Sequence, residues 1–317
     1  MSYKVLIPIL ISFFISVVLS PFVIPFLKKL KFGQFVRDDG PESHLKKSGT
    51  PTMGGLIILT SIVITSLFYM KDYPHIIPIL VTTLGFGLIG FLDDYIKVVM
   101  KRSLGLRAWQ KMLGQVLVTG IFAYYLLNFT DIETSMIIPF GKGAVLELGI
   151  FFVPFLFFVV LGTVNGANFT DGLDGLASSV TVLIATFFTV VAIGTKSGIE
   201  PITGAAVGSL LGFLMYNVYP ARVFMGDTGS LALGGFVAST AFMLRMPIFI
   251  AIVAFIYLVE VLSVIIQVTY FKKTGKRIFK MAPIHHHFEL CGWPETKVVA
   301  IFSIVTAVLC LIGLIAL

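Results

Sequence analysis

Charged residues are scarce in this chain of 317 residues. Asp, Glu, Lys and Arg make up 12% of it, about half the share found in ordinary soluble domains. Hydrophobic residues make up 57%, and the mean hydropathy is +1.00. Because so little polar surface cannot cover a water-soluble globule, the composition excludes a soluble enzyme and a disordered protein. It predicts a protein that is embedded in a lipid bilayer.

Cysteine is nearly absent as well. Cys291 lies in a polar stretch and Cys310 in an apolar one, so we expect no disulfide between them. A disulfide-stapled scaffold and a cysteine-based metal site are therefore excluded, while the redox compartment stays open. Internal repeats and low-complexity segments are also lacking. We therefore treat residues 1–317 as a single integral-membrane domain.

Long apolar runs, in contrast, occur along the whole chain. A helix that crosses the hydrocarbon core needs about 20 mostly apolar residues. The first run is too long for a signal peptide and has no small-residue cleavage site, so we expect it to be retained. The sequence thus predicts an all-α polytopic membrane protein with ten transmembrane helices, at 5–27, 54–70, 76–92, 112–129, 148–164, 176–194, 201–218, 230–244, 247–271 and 297–317.

Basic residues are distributed very unevenly between the two predicted faces. Of the 23 Lys and Arg residues, 18 lie in the loops after odd-numbered segments or at the start of the last segment. Because positive loops stay in the cytoplasm, these loops are predicted to be cytoplasmic and both termini extracytoplasmic. Ten of the 16 acidic residues lie in the same loops. The polar chemistry, and with it the active site, is therefore expected at the cytoplasmic face.

An adjacent pair of carboxylates ends the third apolar segment, in FLDDYIKVVMKRSLGLRAWQK. Asp93 and Asp94 are followed by Lys97 and Lys111. Adjacent carboxylates at a membrane surface repel each other unless a cation lies between them. A divalent cation or a neighbouring lysine would serve. The alternative is a helix end whose aspartates merely face water.

A second polar stretch, NGANFTDGLDGLASS, joins the fifth and sixth segments. Asp171 and Asp174 are three residues apart and would share a face in the first turn of a helix. The neighbouring glycines would let the backbone approach a ligand closely. Helix capping by Thr170 or Asp171 is the alternative. Since capping needs only one such residue and the stretch also contains Asn168, the surplus favours a binding site.

Asp227 lies between glycines in VFMGDTGSLALGG, just before the eighth segment. A carboxylate and a hydroxyl at the N-terminus of a helix suit anionic groups or a metal ion with its phosphates. A tight turn would explain the same residues equally well. The motif therefore points to a site only in combination with the other cytoplasmic motifs.

Lysines and histidines occupy two further inside loops. Lys46 and Lys47 precede GTPTMGG, where Thr52 and the glycines would allow close contact with a phosphate; a basic anchor followed by a turn is the alternative. Three consecutive histidines in MAPIHHHFELCGWPETK lack any known zinc spacing. Imidazole nevertheless suits phosphate contact and proton transfer near neutral pH. We therefore expect a functional role for His285, His286 and His287.

Glu260 is an acidic residue within an apolar segment. A carboxyl group at this depth is costly and indicates either a polar cavity or a hydrogen bond between helices. Gln267 lies seven residues further on, on the same helical face. Together they suggest that the ninth segment borders a groove.

Taken together, these residues describe a site for a polyanion and Mg²⁺. A magnesium ion held by one or two carboxylates would bridge phosphates, and the lysines would neutralise the remaining charge. A membrane enzyme of this kind would join a nucleotide-activated donor to a lipid phosphate. The competing class is an ion- or proton-coupled transporter, which would place its acids at mid-depth rather than on one face.

Several of these motifs also resemble one enzyme family. FLDDYIKV, NFTDGLDGLA, VFMGDTGSLALGG and the histidine tract are similar to the polyprenyl-phosphate N-acetylhexosamine-1-phosphate transferases, from about residue 28 to the carboxyl terminus. GTPTMGG and MAPIHHHFELCGWPETKVV are similar to the members that use UDP-N-acetylmuramoyl-pentapeptide. The resemblance implies transfer of phospho-N-acetylmuramoyl-pentapeptide to undecaprenyl phosphate, which gives lipid I and UMP. A sister transferase that uses UDP-N-acetylglucosamine is the nearest alternative.

The resemblance also implies an Mg²⁺ cofactor, a bacterial plasma membrane location, a homodimer and no nucleic-acid partner. It assigns Mg²⁺ binding to Asp227, with Asp93, Asp94 and Asn168 as further ligands. Asp93 and Asp94 would be catalytic, and His285 to His287 would hold the donor. The remaining assignments are contacts with the substrates, by Lys46, Lys47, Thr52, Lys97, Lys111, Asn168, Asp171, Asp174, Asn217, Phe224 and Glu260.

Overall fold

The computed structural model describes residues 3–29, 47, 49–100, 105–130, 132 and 134–317. Within these residues the chain is almost entirely helical, and a helix occupies each of the ten predicted apolar segments. The helices are α1 Tyr3–Lys29, α2 Gly55–Leu67, α3 Ile76–Val99, α4 Ala108–Phe129, α5 Phe152–Thr170, α6 Leu176–Thr195, α7 Glu200–Asn217, α8 Gly226–Met243, α9 Ile250–Val253, α10 Phe255–Thr274, α11 Ile284–Leu290 and α12 Glu295–Ile315. The ninth predicted span is interrupted, because Ala254 separates the short α9 from α10.

Seven of the described helices are long and apolar enough to cross a membrane, and the chain is an integral membrane protein. They are α1, α3, α4, α5, α6, α10 and α12. The helix α2 has only 13 residues, and α7 and α8 are not among the seven. Every residue of α8 from Thr228 to Met243 is buried. A helix that is surrounded by protein contacts little lipid, so small and polar side chains replace long apolar ones along it.

The polar motifs lie near helix ends, but the ends of two helices differ from the predicted ones. The helix α3 continues past Asp93 and Asp94 to Val99, so the prediction that the aspartates end this helix is wrong. Asp171 and Asp174 do not share the first turn of a helix either. The helix α5 ends at Thr170 and α6 begins at Leu176, so both aspartates lie in the turn between them.

The core of the bundle forms where α8 packs against α3 and α5, and α7 packs against α1, α2 and α6. Hydroxyl groups reinforce the contact between α1 and α7. Ser12 Oγ donates to the carbonyl oxygen of Ala205 at 2.7 Å, and Ser16 Oγ donates to that of Ser209 at 3.0 Å. The first helix is therefore packed into the bundle through α7.

Many helices have their polar termini at the same end of the bundle. The C-terminal ends of α3, α5 and α7 meet the N-terminal ends of α2, α4, α8 and α12 there. At the opposite end, β1 Ser135–Ile137 pairs antiparallel with β2 Val145–Glu147. The hairpin is tied to the bundle by the backbone N–H of Phe140, which donates to the carbonyl oxygen of Ala316. Both cysteines are free thiols, as predicted.

Candidate active site

Asp94 joins the end of α3 to the beginning of α8. Its carboxylate accepts the backbone N–H groups of Asp227 and Thr228 at 3.2 and 2.9 Å, and the Thr228 hydroxyl at 2.6 Å. The first N–H groups of a helix have no partner within it and attract negative charge. Asp94 is buried, so the carboxylate satisfies these donors in place of water and fixes the start of α8 against α3.

Asp93 and Asp227 face the same two ammonium groups. Lys97 Nζ lies 2.5 Å from Asp93 Oδ2 and 2.7 Å from Asp227 Oδ2. Lys111 Nζ, from α4, lies 3.0 Å from the same Asp227 oxygen and 3.9 Å from Asp93 Oδ2. The second oxygen of Asp93 accepts the backbone N–H of Leu106 at 2.6 Å. Two carboxylates thus share two cations at the end of the bundle, which we call the aspartate–lysine cluster.

Asn168 extends the cluster to α5. Its amide nitrogen donates to Asp227 Oδ1 at 2.7 Å and to Ser230 Oγ at 2.8 Å. Asp171 follows in the next turn of the chain. Burial and the nearby negative charges of Asp227 and Asp94 raise the pKa of the Asp171 carboxyl well above its ordinary value. Asp171 therefore keeps a proton to higher pH than a free aspartate does.

The contact between Asp93, Asp94 and Asp227 depends on a glycine one helical turn earlier in α3. A Cβ atom on Gly90 would overlap the backbone carbonyl of Asp227. Backbone atoms cannot rotate away as a flexible side chain can. Because no larger residue fits, Gly90 sets the separation of α3 and α8, and with it the distance between the carboxylates.

Lys47 lies at the centre of a second charged group. Its ammonium nitrogen is 2.6 Å from Asp174 Oδ1 and 2.6 Å from Glu295 Oε1. Burial alone would lower the pKa of Lys47, but the hydrogen bonds and charges of the two carboxylates outweigh it and raise the pKa above its ordinary value. Asp174 also accepts the backbone N–H of Ala221 at 2.9 Å. This group ties the loop before α2 to three other elements.

Thr52, Phe224 and Asn217 surround the segment that leads to Asp227. Thr52 is buried, and its hydroxyl is close to Gly226, where a Cβ would contact Thr52 and Asp94. The backbone of Phe224 pairs with Pro51 and Gly54 at 2.8 Å. The Asn217 amide accepts from Ser178 Oγ and donates to the carbonyl of Val223, at 2.8 and 2.9 Å. These contacts hold the segment that leads to Asp227.

The histidine tract forms the short helix α11, and its first member is buried with Glu260. His285 Nδ1 lies 3.0 Å from Glu260 Oε1, and the two side chains are 1% and 0% exposed. Among the residues that the structure describes, neither Nε2 of His285 nor Oε2 of Glu260 has a hydrogen-bond partner. The unpartnered Nε2 lies against Gly172, whose Cβ would overlap the ring. The pair therefore braces the turn that holds Asp171 and Asp174.

We expect replacement of either member of this pair to destabilise the protein. Glu260→Leu leaves both ring nitrogens of His285 unpartnered in a buried place, which costs about 1 to 3 kcal/mol. His285→Leu strands the carboxyl group instead and costs at least as much. The double variant should lose less stability than the sum of the two single losses, because it leaves no buried polar group without a partner. The free energy of unfolding, measured by SDS titration in mixed micelles, checks this; simple additivity would argue against a coupled pair.

The other two histidines are closer to the surface. His286 Nδ1 lies 2.8 Å from Glu289 Oε2. His287 Nδ1 accepts the backbone N–H of Lys280 at 3.1 Å, and its Nε2 is 3.7 Å from the Cys291 sulfur. The three imidazoles thus have three different partners.

The sequence analysis missed several residues that contact the site. One of the site residues that it predicted lies outside the described part of the chain. Lys46 lies outside the described residues. Glu295 was not predicted as a site residue, although it contacts Lys47, and Ser230 and Thr228 were overlooked as partners of Asn168 and Asp94. The available signal for Glu295 was its place in GWPETK, a polar end of the histidine tract directly before an apolar helix.

The donor chemistry of the aspartate–lysine cluster fits a divalent cation. The described residues contain no group of three or more His, Cys, Asp or Glu side chains arranged around a metal position. Magnesium, however, is commonly held by one or two carboxylates together with substrate phosphates. Asp93 Oδ2 and Asp227 Oδ2 lie within 2.7 Å of one ammonium nitrogen, so both already face a positive charge. Asp94 and Asn168, in contrast, use their polar atoms to position α8 and Asp227.

Comparison with protein-family models gives two matches. Residues 76–246 match the model described as glycosyl transferase family 4. Residues 47–59, which include Lys47 and Thr52, match the model described as phospho-N-acetylmuramoyl-pentapeptide-transferase signature 1. The first match begins at α3 and runs through α8, so it contains the whole aspartate–lysine cluster.

Curated proteins of the same description are similar to the chain over nearly its full length. A phospho-N-acetylmuramoyl-pentapeptide-transferase of Clostridium botulinum (strain Alaska E43 / Type E3) is 55% identical over 317 residues, which cover 99% of this chain and 96% of that protein. Those of Acetivibrio thermocellus and Clostridium kluyveri are 54% and 50% identical. They cover 97% and 99% of this chain, and 94% and 100% of their own lengths.

Proposed function

The chain belongs to the phospho-N-acetylmuramoyl-pentapeptide-transferase family, and on this premise we propose that it makes lipid I. It transfers phospho-N-acetylmuramoyl-pentapeptide from its UDP-linked donor to undecaprenyl phosphate and releases UMP. The observation that carries the proposal is the aspartate–lysine cluster. Residues from four helices converge there at one end of a membrane bundle, where a water-soluble donor and a lipid phosphate can both arrive.

The reaction exchanges one phosphoanhydride for another, so the protein has mainly to neutralise charge and align the reactants. Lys97 and Lys111 are placed for the first task, because their ammonium groups lie at the exposed end of the cluster and can move from carboxylate to phosphate. Asp171, with its raised pKa, can donate a hydrogen bond to a phosphate oxygen. Asn168 fixes the orientation of Asp227 through its amide.

We propose direct attack by the lipid phosphate rather than a covalent aspartyl intermediate. A phosphate monoester has a second pKa of about 6, so a strong base is hardly needed at neutral pH. The contacts of the two candidate nucleophiles support this choice. Both oxygens of Asp94 accept hydrogen bonds from α8, and those of Asp93 are held by Leu106 and Lys97. Trapping of a phospho-sugar adduct on either aspartate, without acceptor present, would contradict the proposal.

Asp93 and Asp227 are the proposed ligands that would hold Mg²⁺, and the ion would supply positive charge to neutralise the phosphates. The Lys47 group is proposed to bind the nucleotide end of the donor, near Phe224 and the Asn217 segment. The outer histidines, His286 and His287, would contact the remainder of the donor. Asn217, His285 and Glu260 are buried, so we assign them to positioning rather than to direct contact.

The proposed orientation places this end of the bundle in the cytoplasm of a bacterium, where a UDP-linked donor is available. The distribution of Lys and Arg along the sequence supports this side. We further propose that all ten long helices contribute to the membrane domain, with both termini on the extracytoplasmic side. A homodimer is also proposed, on the family resemblance alone.

Release of UMP by the purified protein tests the function. We expect release only when UDP-N-acetylmuramoyl-pentapeptide and undecaprenyl phosphate are both present, loss of release with EDTA, and recovery with added Mg²⁺. UDP-N-acetylglucosamine serves as the control donor and should give at least ten times less UMP. Equal turnover of the two donors would favour a sister transferase. Activity that survives chelation would remove Mg²⁺ from the proposal.

A further inference from the structure

A cavity of about 940 Å³ lies beside the end of α1. Its walls come from the last two turns of α1, from the loop before α2 and from the turn between α7 and α8. The lining combines apolar rings with two cations, and includes Pro21, Ile24, Pro25, Lys28, Tyr216 and Arg222. A pocket of this size accommodates a small amphiphile or a lipid headgroup.

The two cations have no counter-ion among the residues that the structure describes. Lys28 and Arg222 form no ion pair or hydrogen bond through their side chains within that part of the chain. Both side chains are exposed. Lys28 lies in the last turn of an apolar span of 25 residues, so it lies at the boundary between hydrocarbon and water. Two unpaired positive charges at this depth are complementary to an anionic headgroup.

The turn that carries Arg222 is held in place before any ligand arrives. The backbone N–H of Arg222 donates to the carbonyl of Tyr216 at 2.8 Å. The preceding N–H, of Ala221, donates to Asp174 at 2.9 Å. Arg222 therefore needs to order only its side chain to bind, which lowers the entropic cost.

Prolines in α1 remove hydrogen bonds within the helix beside the cavity. Pro21 has no N–H for the carbonyl of Val17, and the hydroxyl of Tyr216 takes its place at 3.4 Å. Pro25 likewise offers no N–H to the carbonyl of Pro21, a residue that lines the cavity, so this carbonyl lacks its usual donor within the helix. A headgroup that carries both a phosphate and hydroxyl groups would match the two cations and this carbonyl together.

We propose that this cavity binds a membrane phospholipid with an anionic, hydroxyl-bearing headgroup, of the phosphatidylglycerol type. The phosphate would lie between Lys28 and Arg222, and the upper part of an acyl chain would lie along Ile24 and the proline rings. None of the residues that line the cavity belongs to the aspartate–lysine cluster. Occupancy of the cavity can therefore be measured without any turnover.

Native mass spectrometry of the full chain in detergent, titrated with phosphatidylglycerol or phosphatidylcholine, tests the proposal. We expect at least tenfold tighter binding of phosphatidylglycerol, and a loss of at least tenfold in the double variant Lys28→Gln with Arg222→Gln. The matched control is Lys29→Gln with Lys272→Gln, which removes two exposed cations near helix ends outside the cavity and should change binding less than twofold. Ile24→Trp, which narrows the cavity and keeps both charges, should weaken binding as well.

Other outcomes would overturn the proposal. Equal losses in the two double variants would mean that net charge alone attracts the lipid. Equal binding of the two lipids would exclude a headgroup site, and competition by free glycerol phosphate at the same concentration would identify a soluble anion as the ligand instead. UMP release is measured on the same samples, so that a failure of lipid binding can be distinguished from a failure of the proposed transferase function.

Discussion

Asp227→Asn should reduce UMP release by about 10² to 10³-fold, the range found when one pre-organised electrostatic group is removed from an active site. Asp227 is the partner shared by Lys97, Lys111 and Asn168. Asparagine keeps the volume but removes the charge, so the two ammonium groups lose their common counter-ion and the proposed Mg²⁺ site loses a ligand. Turnover by purified variant and parent protein at equal concentration is the measurement.

The control for this variant is Asp72→Asn. Asp72 is an exposed carboxylate just before α3, at the opposite end of the helix that carries Asp93. The substitution is chemically identical, and we expect turnover within twofold of the parent protein. Binding of the UDP-linked donor by each variant separates loss of affinity from loss of chemistry. If Asp227→Asn kept turnover within threefold of the parent, the aspartate–lysine cluster would not be the reaction centre.

Gly90→Ala should inactivate the protein even though no reacting group is changed. The added methyl group would overlap the backbone of Asp227 and force α3 and α8 apart. A displacement of about 1 Å at a reaction centre costs on the order of 10²-fold in rate, and overpacking of this kind costs about 1 to 3 kcal/mol of stability. Both effects should appear, as lost UMP release and a lowered melting temperature in detergent.

Gly162→Ala provides the matched control in α5. A Cβ on Gly162 would have no heavy atom within 4 Å, and alanine favours a helix by about 1 kcal/mol over glycine. This variant should keep full turnover and an equal or higher melting temperature. Equal activity of the two alanine variants would mean that the site tolerates a larger distance between α3 and α8. The close approach of these helices would then have no catalytic role.

The apolar runs were sufficient to predict the helices, because a span in a bilayer must be long, apolar and fully hydrogen-bonded. Helix ends were predicted less well. The helix α3 continues through Asp93, Asp94 and Lys97 because Asp94 is satisfied by the N–H groups of α8 and Asp93 by Lys97. The partner of Asp94 lies 134 residues away along the chain, so the local sequence pattern cannot predict it.

The residue types of the site were predictable, but their pairing was not. Carboxylates, lysines and histidines in an apolar chain mark functional positions because each is costly to keep near a membrane. Which of them share a partner depends on the packing of the bundle. Lys47 and Glu295 are separated by 248 residues, and Glu260 meets His285 only because α11 folds back onto α10.

The serine contacts between α1 and α7 constrain the order in which the bundle can assemble. The acceptors for Ser12 and Ser16 lie 193 residues further along the chain, so they do not exist when the first helix leaves the ribosome. Until α7 is synthesised, these hydroxyl groups have only carbonyls of their own helix to bond, as Ser20 does with Ser16. The contact between α1 and α7 therefore forms only after more than 200 residues of the chain have been made, although α1 can already pack on α2 before then.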